Sequence, residues 1–325
     1  MRNAYKILFR VEDMTSSVSN DTGRALEYEI VEEFIEYCIS KKILFKLSSR
    51  TEDERVRDKK YFESLSKKLQ EDFIKCAKTF IKWSDREKWF ENTQEISIDR
   101  LPDSMGVQGD ATDIKFYLMK EGRNIEKDIS VKNNHNALKH PRLPRLPEQC
   151  GINDDKIKEK YIEDHNLIWK KFKELAEKLN SKATKFNELK KIDPSFIDKN
   201  LYKPLIELVI FFMKKNLIKE ENLKFFFQFL TGKTNFITIK NEQDHILVKH
   251  FEKIKIPKKF KITYPADTSL TTFLMELDNK WKITFRLHTA SEHFIEKGKL
   301  KTSVKFDVIC PNLDEVLEIE MIAKD

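Results

Sequence analysis

Residues 109–143 read GDATDIKFYLMKEGRNIEKDISVKNNHNALKHPRL. Asp113 opens an apolar run, IKFYLM, and the glycine at 122 interrupts it. A second run, IEKDISVK, follows and ends at Lys132. Short alternating runs around a glycine predict a pair of strands. Alternate residues of a strand share a face, so Asp128, Ser130, Lys132 and Asn134 are expected on one side of the second strand.

An acid opening one strand, with an SxK ending the next, resembles the strand pair of PD-(D/E)xK nucleases. There, acidic oxygens hold Mg²⁺ near the scissile phosphate, and a lysine positions and activates the attacking water. Metal and lysine also offset the charge that builds on the phosphoryl oxygens. The family pattern places an acid two residues before the lysine, whereas this chain has Ser130 there. The nearest acid, Asp128, lies roughly 6–7 Å further back along the strand.

Outward from this stretch, residues 23–40 predict a helix. Plotted at helical spacing, Leu26, Ile30, Val31, Phe34, Tyr37 and Cys38 form its apolar face, and Glu27 falls near the middle of that face. Glu29, Glu32, Glu33 and Glu36 fall on the other side and read as solvent-facing. An unpaired buried carboxylate is costly, so Glu27 requires either a metal site or a basic partner. Downstream of Lys132, the run His135, Lys139, His140, Arg142 and Arg145 meets its first acid at Glu148. That run suits contact with phosphates, or is a solvated basic loop.

Helices are also expected at 57–83, 154–180, 198–216 and 220–230, and β signals dominate from about 234. WKITFRLH at 281–288 alternates strictly. Trp281, Ile283, Phe285 and Leu287 lie on one face, and Lys282, Thr284, Arg286 and His288 on the other. The expected fold is α+β (mixed α/β), with helices around a small mixed sheet and a β-rich C-terminal portion. A division at 1–230 and 231–325 is expected, or one continuous domain.

The 325 residues can bury a sizeable core. Sixty-one Lys and Arg against 54 Asp and Glu leave +7, an excess that matters only if concentrated in a site. Four scattered cysteines without a CxxC pair read as a reduced, cytoplasmic protein. No signal peptide is expected, and LIELVIFFM at 205–213 is too short to span a bilayer. Histidines five apart, at 135/140, 245/250 and 288/293, do not make a zinc site. GKT at 232–234 lacks the upstream glycine of an ATP-binding loop.

GRALEYE (23–29), GVQGDATDI (106–114), ISVKNNHNALKHPRL (129–143), WKITFRLHTAS (281–291) and LKTSVKFDV (300–308) occur in this order. Together they resemble HaeIII-type restriction endonucleases, in which the SxK form also occurs. The resemblance implies a PD-(D/E)xK-like core, Mg²⁺ dependence and site-specific cleavage of double-stranded DNA. GGCC cut bluntly at its centre is the usual target. It further implies a companion cytosine methyltransferase encoded alongside, not a stable subunit. It makes Asp113 a metal ligand and Lys132 the catalytic lysine. Glu27 becomes a further metal ligand or orienting group, with Asp110 and Asp128 as reserve acids. Asn134, His135, Lys139, His140, Arg142 and Arg145 are expected to contact DNA, and Arg286, His288 and Lys305 to read it. Arginine and lysine pair with guanine O6 and N7 in the major groove, as a GC-only site requires. Two other readings stay open: a repair or recombination nuclease without a defined sequence, and an inactive DNA-binding relative. The oligomeric state, monomer or dimer, is not fixed by these residues.

Overall fold

Glu121 and Gly122 both have positive φ, 48° and 74°, as a two-residue type I′ hairpin requires. This turn joins β3 (Ile114–Lys120) to β4 (Arg123–Asn133), paired antiparallel from Lys120↔Arg123. Counting back from the turn sets Lys115 opposite Asp128 and Ile114 opposite Ile129. A computed structural model of the protein describes residues 16–101, 112–133, 138–139, 141–232, 235–264 and 269–324. Asp110, Asn134, His135 and His140 lie outside them.

The chain folds as two units, each discontinuous in sequence. The first contains Met1–His135, Gly232–Ile254 and Leu317–Asp325; the second contains Asn136–Thr231 and Lys255–Val316. The expected single cut near 230 is therefore replaced by four crossings. The reason lies in strand pairing: β5 (Phe236–Asn241) returns to lie parallel beside β4 after the whole of Asn136–Thr231.

In the first unit, α1 (Ser16–Lys41), β1 (Leu44–Leu47), α2 (Ser49–Ser64), α3 (Lys67–Arg86) and β2 (Thr93–Arg100) precede the hairpin. β6 (His245–His250) and β13 (Ile319–Ala323) complete a seven-stranded mixed sheet in the order β1-β2-β3-β4-β5-β6-β13. Alternation gives this sheet one apolar face. Ile96 and Ile98, Ile114 and Phe116, Ile129 and Val131, Ile237 and Ile239, and Ile246 and Val248 join Leu26, Ile30, Phe34, Phe73 and Phe80 in one core. Each such side chain contributes about 1.5–3 kcal/mol on burial.

Two expectations for the helices change. The single helix over 57–83 is two, because Leu65 is extended and Ser66 caps a new start, accepting from Leu69 N–H at 3.4 Å. The glutamate side of α1 is not all solvent-facing. Glu29 is buried, and Lys78 of α3 lies 3.5 Å from Glu33. Tyr28 and Ile35, off the expected stripe, are buried too, so α1 is wrapped well beyond one face.

The second unit is helical, with a small antiparallel sheet. Its longer helices are α4 (Asp155–Leu179), α5 (Phe186–Ile192), α6 (Lys203–Asn216) and α7 (Glu220–Thr231). The expected helix over 198–216 begins instead as a π turn at Asp198–Tyr202. Regular α geometry starts at α6, where Pro204 supplies no N–H. The sheet contains β7 (Phe260–Thr263), β8 (Thr272–Leu277), β9 (Lys282–Thr289) and β12 (Val304–Ile309), in the order β12-β9-β8-β7. A two-stranded ribbon, β10 (Ile295–Glu296) with β11 (Lys299–Leu300), stands apart. Ile283, Phe285 and Leu287 are buried as the alternation predicts, and Phe273 stacks on Phe285 at 4.6 Å between ring centres. All four cysteines are buried thiols. Among the described residues no helix is long and apolar enough to cross a membrane.

Candidate active site

Asp113 is held from both sides by backbone. Its N–H donates to the Ile129 carbonyl at 2.8 Å, and its own carbonyl accepts from Leu101 N–H at 2.9 Å. The same hairpin count sets it opposite Ser130. Three donors converge on its Oδ2: Val131 N–H at 2.7 Å, Ser130 Oγ at 3.1 Å and Lys132 Nζ at 3.4 Å. None of these three contacts uses Oδ1. Asp113 and Lys132 are both partly exposed, whereas Ser130 is buried. The result is a carboxylate and an ammonium fixed side by side at the ends of two paired strands, on the face opposite Ile129 and Val131.

Asp128 lies two residue pairs away on the same face, in a different neighbourhood. Its Oδ2 accepts from Lys115 Nζ at 3.0 Å and from Thr112 Oγ1 at 3.4 Å, and Lys115 also pairs with Glu126. Burial pushes the Asp128 carboxyl up to about 6. Hydrogen bonding from Lys115 opposes that rise, and Glu126 adds to it. Burial works against the Lys115 charge, but its hydrogen bonds to Glu126 and Asp128 hold the ammonium above its ordinary range. One permanently charged lysine thus serves two acids. Lys115 and Thr112 had not been singled out from sequence. The signal was the two-residue turn, which fixes Lys115 against Asp128 by counting.

Glu27 goes to a basic partner. Arg100, only 2% exposed, places Nη2 2.6 Å from Glu27 Oε2, Nη1 3.1 Å from Glu54 Oε2 and Nε 2.9 Å from Asp58 Oδ2. Burial lifts the Asp58 carboxyl above its usual range, and Arg100 and Arg57 oppose that. Arg100 is paired with Ile114 in the ladder, so this cluster lies on the helix-covered side of the sheet. Ser130 and Lys132 project from the other side. Among the described residues no group of three His, Cys, Asp or Glu side chains is placed to hold a metal ion.

In the second unit, the expected basic residues gather around one edge strand. Leu138 N–H donates to the Val308 carbonyl at 2.8 Å, Phe306 N–H to the Pro141 carbonyl at 2.9 Å, and Arg142 bridges Lys305. Leu138, Pro141 and Arg142 therefore lie antiparallel along β12. Register pairs Lys305 with His288 and Asp307 with Arg286, on the face opposite Phe285 and Phe306. Lys139 sits over the Phe229 ring, Arg142 is exposed, and Arg145 pairs with Glu148 at 3.0 Å. The expected loop at 140–147 is partly helical, with a 3₁₀ turn at Leu143–Arg145 leading into Leu146–Gln149.

A family model described as HaeIII restriction endonuclease matches residues 23–251. The two C-terminal blocks, 281–291 and 300–308, lie beyond that match. No curated protein matches the chain, and no solved structure matches it.

Proposed function

Because the chain belongs to the HaeIII restriction endonuclease family, we propose that it is a Mg²⁺-dependent type II enzyme acting in the cytoplasm. It hydrolyses both strands of duplex DNA at a short GC-rich site, GGCC cut bluntly, with a cytosine methyltransferase as genetic companion. The observation that carries this reading is the convergence of Ser130, Val131 N–H and Lys132 on one oxygen of Asp113. Such an arrangement sets a carboxylate oxygen and a lysine amine side by side, the pair that metal-assisted phosphodiester hydrolysis uses.

The donor set fits magnesium, which takes oxygen ligands and is commonly bound by only one or two carboxylates, with water and phosphate oxygens completing its shell. Asp113 is the residue assigned to hold it, with Asp110 and Asp128 as further acids of the same stretch. Bound there, the ion would supply charge neutralisation at the phosphoryl group. Lys132 orients the attacking water and faces the phosphate. Glu27 is assigned to the Arg100 ion pair. Arg142, Lys139 and Arg145 are assigned to phosphates, with Asn134, His135 and His140 in the same segment, and Arg286, His288 and Lys305 to bases.

Digestion of a sequenced plasmid with Mg²⁺, followed by end mapping of the fragments, tests the proposal. A fixed fragment pattern with flush ends is expected. A smear of random nicks would favour a nuclease without a defined sequence. Retained duplex binding without products in Mg²⁺ or Mn²⁺ would favour an inactive relative.

A further inference from the structure

One carboxylate in the second unit serves two of the residues assigned to base reading. Asp307 Oδ2 accepts from Arg286 Nη2 at 2.9 Å, and its Oδ1 lies 3.0 Å from His288 Nε2. The other ring nitrogen of His288 lies 3.0 Å from the Thr289 carbonyl, so both nitrogens face oxygen acceptors. The arrangement follows from strand geometry. Arg286 and His288 are two apart on β9, and Asp307 pairs with Arg286 across β12. All three therefore project from one face, and a short acid between two longer side chains reaches both. The strands beneath are pinned by buried Phe285, Leu287, Phe306 and Val308. Asp307 is mostly shielded, whereas about a third of each of the Arg286 and His288 side chains remains exposed.

A guanidinium has five donors in a rigid plane, and an acid on one edge fixes the direction of the rest. Fixing direction matters for a bidentate guanine contact, which requires both atoms in place together. It matters much less for a phosphate, which accepts a charge from many directions. We propose that Asp307 is a specificity-positioning residue: it sets the orientation of Arg286 and His288 for base reading without itself touching a base. The proposal rests on the assignment of this face to DNA recognition. Its sign runs against simple electrostatics, since removing an acid from a DNA-facing surface ordinarily tightens binding to every sequence.

The test uses the full chain with Ca²⁺ replacing Mg²⁺. Binding is measured to a short duplex carrying the mapped site and to one with that site scrambled. Asp307→Asn and Asp307→Ala are expected to lower the cognate-to-scrambled affinity ratio by about tenfold or more, with scrambled binding unchanged or tighter. Asn keeps the shape and one acceptor, so its loss should be the smaller. In a background carrying both Arg286→Ala and His288→Ala, Asp307→Ala should change the ratio by no more than about twofold. Arg286→Lys, which keeps the charge and loses the fork, should discriminate as poorly as Arg286→Ala. Retained discrimination in Arg286→Lys overturns the proposal without reference to how the Asp307 variants fold. An unchanged ratio in Asp307→Asn, where Arg286→Ala lowers it, overturns the proposal and leaves recognition by this face intact. An unchanged ratio in Arg286→Ala and His288→Ala overturns both.

Discussion

Glu27 and Arg100 face one another at 2.6 Å on the helix-covered side of the sheet, with Glu54 and Asp58 on the same guanidinium. A charge so deeply buried is tolerable only while it is matched, and removing one member leaves the others exposed to the full desolvation cost. Glu27→Gln should therefore lower stability by about 1–3 kcal/mol, since two acids still hold Arg100. Arg100→Met, which strands three acids, should cost about 3–5 kcal/mol. Thermal melts beside cleavage rates per folded molecule decide the assignment. An unchanged melt with collapsed cleavage would move Glu27 to the metal.

Lys132→Ala should abolish cleavage while duplex binding in Ca²⁺ stays within about tenfold, because this lysine is assigned to water and phosphoryl oxygen rather than to bases. Asp113→Asn should likewise abolish cleavage, with a much higher magnesium requirement for any residue of activity. Near wild-type rates for Lys132→Ala would place the catalytic strand elsewhere.

Glu29 gives a pH signature independent of catalysis. Burial, then Glu33, Glu32 and Glu36, push its carboxyl from 4.5 up to about 7, with Lys78 opposing. The folded protein thus holds the proton more tightly than the unfolded chain. The associated stability is fully present below about pH 4.5 and is lost as pH rises to about 7. Glu29→Gln should match the wild type at low pH and exceed it above pH 7, by about 3 kcal/mol at most. Urea midpoints across this range measure the difference. A constant difference at all pH values would remove Glu29 as the titrating group.

Arg142→Ala should weaken binding to cognate and scrambled duplex equally, and reduce the salt dependence by about one charge. Arg145→Ala should do less, because Glu148 already offsets that charge at 3.0 Å. Binding at several salt concentrations on both duplexes separates the two. A loss confined to the cognate duplex would make Arg142 a base reader.

Local pattern carried much of this. The β3–β4 hairpin, the buried alternation of Ile283, Phe285 and Leu287, and the pairing of Asp113 with Lys132 all lie within spans that period-two spacing reaches. Contacts set by long-range packing were less legible. Arg100 stands in an alternating strand like any exposed arginine, and only the arrival of α1 and α2 makes it the partner of Glu27. Glu29 read as solvent-facing because a helix wheel shows where apolar residues lie, not how many neighbours cover the helix. Pairing β4 with β5 required a partner beyond a whole helical segment, which no local spacing encodes.

That pairing bears on biosynthesis. A ribosome making this chain finishes the strand bearing Lys132 and must then translate Asn136–Thr231 before β5 exists to dock beside it. At synthesis rates of roughly 5–20 residues per second this takes roughly 5–20 s, with one edge of β4 unpaired throughout. Truncation between the two strands should accordingly yield aggregates rather than a smaller nuclease. It also means that neither unit can be traded between relatives by splicing one contiguous block. A graft of the second unit requires two inserts, at Asn136–Thr231 and Lys255–Val316, with Gly232–Ile254 of the first unit left between them.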